Sequence, residues 1–64
     1  MRQKPTEPSA VLERRLSALV RERQDLREQD ASQFVLEQNR LEIVQTQLEL
    51  SQALVSEHLE LASA

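Results

Sequence analysis

Ser56 and His58 are the closest this chain comes to a nucleophile beside its base, and their spacing prevents them from acting together. On a helix, two residues apart is about 200° of rotation, so the two side chains point in different directions, and no third group is spaced to orient the imidazole. His58, the only histidine, reads as a solvated or interface-rim residue. Glu42 and Glu49 are expected on a helix surface, with no enclosed pocket around them for general acid or base work. The chain has no glycine, so it cannot build a glycine-rich phosphate loop, and it has no cysteine for a thiolate metal site or a disulfide. The expectation is a chain that is not an enzyme, with no catalytic, cofactor-binding or metal-ligating residue.

Function must then lie in the elements themselves. A chain of 64 residues holds at most one small domain, and one of this size is marginal unless something staples or covers it. Leu, Glu, Gln, Arg and Ala are abundant, and both prolines fall at Pro5 and Pro8, so the remainder reads as helix throughout. The longest apolar run near the middle, Phe34, Val35 and Leu36, is far short of the ~20 residues of a membrane span. The basic start is followed by Pro5, Thr6, Glu7 and Pro8 in place of an apolar signal core. We therefore expect a cytoplasmic protein with no membrane partner.

The net charge of −3 is unevenly spread. In the first half Arg14, Arg15, Arg21, Arg23 and Arg27 are interleaved with Glu13, Glu22, Asp25 and Glu28, which describes a mixed, solvated face. From residue 32 onward Arg40 stands against Glu37, Glu42, Glu49, Glu57 and Glu60. An acidic second half repels phosphate, so no nucleic-acid partner is expected.

In chain order, residues 1–8 are polar and lack apolar periodicity, and read as a disordered tail. A first helix is expected over about residues 9–28, where proline suits a first turn and Ser9 can cap. Leu12, Leu16, Leu19, Val20 and Leu26 form its single apolar stripe, interrupted by Arg23, whose stem can cover apolar surface while its head reaches water. Continuing that seam would need apolar residues near positions 30, 33, 37 and 40, which are Asp30, Gln33, Glu37 and Arg40. Asp30 followed by Gln33 also has the form of a capping box. These signals predict a turn at about 29–32 and a second helix over about 32–61, hence an all-α antiparallel two-helix hairpin. One long bent helix is the competing arrangement.

The second helix carries two apolar stripes. Phe34, Leu41, Val44, Leu48, Val55 and Leu59 cluster along one side, and Leu36, Ile43, Leu50, Leu54 and Leu61 along the other. Folding about residues 30 and 31 sets the first stripe against the first helix, with Leu19 near Leu41 and Leu12 near Leu48. Leu36, Ile43, Leu50, Leu54 and Leu61 are then left uncovered and become the expected partner-binding residues. Burying an aliphatic side chain is worth roughly 1.5–3 kcal/mol, so five in water forgo on the order of 10 kcal/mol, comparable with a small domain's whole stability. Such a surface calls for association, either with a partner or with itself.

The stretch Asp30-Ala31-Ser32-Gln33-Phe34, followed by glutamine-rich helix and then by Leu41, Val44, Leu48 and aliphatics up to Leu59, resembles the small E component of bacterial type III secretion needle chaperones. The resemblance covers roughly residues 12–59. It implies a helical hairpin that serves virulence-associated secretion as a cytoplasmic co-chaperone. Such a hairpin binds a tetratricopeptide-like chaperone, and the pair keeps the needle subunit monomeric. The alternative from another class is a homodimeric four-helix bundle with a structural or regulatory role.

Overall fold

The chain folds as two antiparallel helices, α1 (Ser9–Glu28) and α2 (Gln33–Ser63), in a computed structural model that describes residues 7–63. The tail expected at 1–8 lies, for its first six residues, outside the described part. Glu7 and Pro8 are tied to the hairpin: Glu7 pairs with Arg15 at 2.9 Å, and the Pro8 carbonyl accepts the first backbone bonds of α1, from Val11 and Leu12. The described residues measure 49 × 25 × 12 Å, so the hairpin is one helix thick and each helix has an outer side with none of the described residues of the other helix against it.

The turn is built differently from the expected capping box. Asp30 has φ 55°, in the left-handed region, where glycine is the usual residue and aspartate is among the few others tolerated. Around it the Ala31 N–H donates to the Leu26 carbonyl at 2.9 Å and the Asp30 N–H to the Arg27 carbonyl at 3.2 Å. This is the paired bonding of a Schellman close, so α1 stops without a glycine because Asp30 takes the glycine's conformation. The cap of α2 falls two residues later, on Ser32: its Oγ accepts from the Val35 N–H at 3.3 Å and its carbonyl from the Leu36 N–H at 3.1 Å. Asp30 ends the first helix; it does not start the second.

The seam between the helices follows two matched heptad patterns. On α1 the covered positions Leu12, Leu16, Leu19, Arg23 and Leu26 are spaced alternately by four and three. On α2 the same spacing runs through Leu36, Asn39, Ile43, Thr46, Leu50 and Ala53, of which Asn39, Thr46 and Ala53 are fully buried and the three aliphatics half-buried. A 3-4 spacing keeps one stripe facing a neighbouring helix along its whole length. The expected assignment of the two α2 stripes is therefore reversed along most of the helix, while Leu54 and Leu61 are exposed. Phe34, Leu41, Val44, Leu48 and Val55, expected against α1, are exposed, whereas Leu36, Ile43 and Leu50, expected to be open, lie on the seam.

Candidate protein-binding face

The inner side of α2 is satisfied by α1, and its least expected part is a polar node. Asn39 is only 2% exposed, and both polar atoms of its amide are bonded. Its Oδ1 accepts from the Arg23 guanidinium at 3.3 Å, while Nδ2 donates to the Leu19 carbonyl at 3.1 Å and to Glu22 Oε1 at 3.2 Å. The same Arg23 nitrogen donates to the Leu36 carbonyl at 3.2 Å. Arg23 thus does more than lay its stem on apolar surface: its head crosses the seam. A buried polar group costs stability unless bonded, so this node penalises every register that separates Arg23 from Asn39.

A second link closes the far end. Ser9 is the first residue of α1, not its side-chain cap; its backbone N–H donates to Glu57 Oε2 at 2.9 Å and its hydroxyl to Glu57 Oε1 at 2.8 Å. Carboxylate oxygens suit the N-terminus of a helix, where backbone N–H groups lack partners. The Ser9 backbone bond, followed by its hydroxyl bond, holds the Glu57 carboxyl below the usual carboxylate range. Because Ser9, the first residue of α1, meets Glu57, α2 overhangs α1 only beyond about residue 57.

What remains open is the opposite side of α2. Phe34 is 71% exposed and Leu48 60%, and Leu41, Val44 and Val55 are each about half exposed. Phe34, Leu41, Leu48 and Val55 recur every seventh residue, with Val44 between them, so the face repeats like a second coiled-coil seam. Leu48, Ser51, Gln52 and Val55 line a shallow, mostly apolar groove along it. One edge carries Gln38, Gln45 and Gln52, and the other carries Arg40 and Gln47. Glu37 and Arg40 pair with each other at 2.7 Å; the Arg40 bond holds the Glu37 carboxyl below its usual range, and Glu37 in turn raises Arg40. The face is apolar, helical in its repeat and close to neutral.

Of the five residues expected to bind a partner, Leu54 and Leu61 are exposed, the latter at the end of the overhang, and Leu36, Ile43 and Leu50 are half-buried against α1. The sequence reading missed Asn39 altogether, although its heptad spacing from Leu36 and Ile43 was there to be read. Ser56 and His58 are both exposed, and among the described residues no cluster of three or more His, Cys, Asp or Glu could hold a metal ion. No helix among the described residues is long and apolar enough to cross a membrane. Comparison of the chain with protein-family models, curated proteins and solved structures returned no match.

Proposed function

We propose that this hairpin is a protein-binding module without chemistry of its own, and that the outer face of α2 is where it binds. The observation that carries this reading is the row Phe34, Leu41, Val44, Leu48 and Val55, left open on a helix whose other side is already covered. Each forgoes roughly half of the 1.5–3 kcal/mol that full burial yields, so the row leaves on the order of 5 kcal/mol unrealised. That is as much as the whole stability of many small domains. Apolar patches of this kind on a soluble chain mark interaction sites, and a seven-residue repeat fits a helix lying alongside.

The resemblance to the E components of needle chaperones supports a specific partner: a helical-repeat, tetratricopeptide-like chaperone that, with this hairpin bound, keeps a type III secretion needle subunit monomeric in the cytoplasm. Co-expression tests it. The native chain should co-purify with such a chaperone and its needle subunit, whereas Leu48→Asp should lose both and retain its helicity, because Leu48 does not touch the seam. If the chaperone bound Leu48→Asp as tightly as it bound the native chain, α2's outer face would not be the binding face.

A further inference from the structure

The same face is open before any partner arrives, and its geometry says what covers it then. We propose that the free chain is a symmetric homodimer in which the outer face of α2 packs antiparallel on the same face of a second copy, so that self-association occludes the partner site. This rests on the reading of that face as the binding surface and adds its regulation.

Three observations favour a second copy as the occupant. First, the row from Phe34 to Val55 has a coiled-coil repeat over roughly 32 Å, so its occupant must be a helix with a matching apolar repeat of that length. Another α2 supplies one. The outer side of α1 does not, because it presents Arg14 and Arg21 among the small residues Ala10, Ser17 and Ala18.

Second, a two-fold interface sets the same face of two copies together, so any net charge on that face meets an equal net charge, which favours a neutral face. The outer face of α2 meets that condition. Glu37 and Arg40 neutralise each other within one copy, and most of the rim is glutamine, which donates and accepts equally well and so pairs with itself.

Third, the area suffices. The five exposed side chains each offer about 100 Å² and the rim glutamines add to them, which approaches the ~800 Å² per partner of a stable interface.

The row from Phe34 to Val55 is centred between Val44 and Gln45, so burying all of it antiparallel sets Gln45 beside the Gln45 of the second copy and Gln38 beside its Gln52. Cysteine cross-linking of the full chain, with sedimentation equilibrium, tests this. The native chain at about 10 µM should sediment mainly at twice its 7.4 kDa mass, and Leu48→Asp at the single-chain mass with its helicity unchanged. Gln45→Cys should form a disulfide-linked dimer, and Gln38→Cys should cross-link to Gln52→Cys in a mixture but not to itself. Adding the purified chaperone should suppress the Gln45→Cys cross-link. A native chain that stays monomeric up to about 100 µM overturns the dimer and leaves the partner reading standing. A dimer that survives Leu48→Asp, or in which Gln38→Cys links to itself, overturns the antiparallel face, and a cross-link indifferent to bound chaperone overturns the occlusion.

Discussion

Replacing Asn39 by alanine asks how much of the hairpin's stability comes from a polar node inside an otherwise leucine-based seam. The substitution deletes three hydrogen bonds, two of them to the charged groups of Arg23 and Glu22 and one to the Leu19 carbonyl. A neutral bond contributes about 1 kcal/mol net and one to a charge about 1.5–3 kcal/mol. These bonds are 3.1–3.3 Å long, and exposed Glu22 can turn to water when released, so the lower end applies. With the Glu22 bond replaced by water, about 1 kcal/mol from the Leu19 bond and about 1.5 kcal/mol from the Arg23 bond leave a loss of about 2.5 kcal/mol, equivalent to a fall in melting temperature of about 10–20 °C for a chain this small. Urea unfolding followed by circular dichroism measures it, best in a Leu48→Asp background so that association does not enter. Combining Asn39→Ala with Arg23→Ala should give less than the sum of the two, with a coupling of about 1 kcal/mol. Asn39→Leu separates stability from register: the chain should melt no lower than the native one, yet spin labels at positions 17 and 47 should report a broader spread of distances once no polar pair fixes the alignment. A loss below about 0.5 kcal/mol for Asn39→Ala, with purely additive behaviour in the pair, would refute the reasoning.

Two further outcomes follow from the turn and the far end. Ser32→Ala should lower stability by about 1 kcal/mol by removing the cap on the Val35 N–H, and Asp30→Gly should raise it by about 0.5 kcal/mol by relieving a left-handed conformation; denaturant melts showing a loss for Asp30→Gly would contradict the turn described. Glu57 has its folded-state pKa lowered by Ser9, so its link strengthens the fold above the unfolded carboxyl value and is lost as pH falls through the lower, folded value. The acid loss of stability should therefore be smaller in Glu57→Gln than in the native chain, and an identical pH profile for the two would show that the Ser9 link does not form in solution.

The helices and the turn were legible in the sequence because their signals are local. Leucines at 12, 16, 19 and 26 announce a seam, and charged or polar residues at 30, 33, 37 and 40 end it, wherever the second helix goes. The facing side of α2 was not legible by counting aliphatic residues, because the row with the bulkier exposed side chains, Phe34 and Leu48 among them, is the outer one. The inner row holds asparagine, threonine and alanine at every other step, and these read as polar or small until partners are assigned to them. The missing signal was a match of polar with polar: Arg23 interrupts one seam and Asn39 the other, and only one register brings them together. Two residues along a helix is about 200° around it, so a shift of two residues in register exchanges the two faces of α2. The roles of Asp30 and Ser32 were hidden for a similar reason, since both residue types can cap and only the backbone angle at Asp30 separates stopping one helix from starting the next.

A seam built this way has a consequence for how the protein works. Leu12 and Ala53 are the only fully buried apolar residues among those described, so α1 and α2 together bury little, and much of the alignment is specified by bonds and not by area. The larger aliphatic surface of α2 is held outside. Any protein that covers it adds to the hairpin a stabilisation of the same order as the hairpin's own, which makes folding and binding one linked equilibrium. If the proposed dimer and partner both use this face, the melting temperature of the native chain should rise with its concentration and rise further with the proposed chaperone partner added, whereas that of Leu48→Asp should do neither.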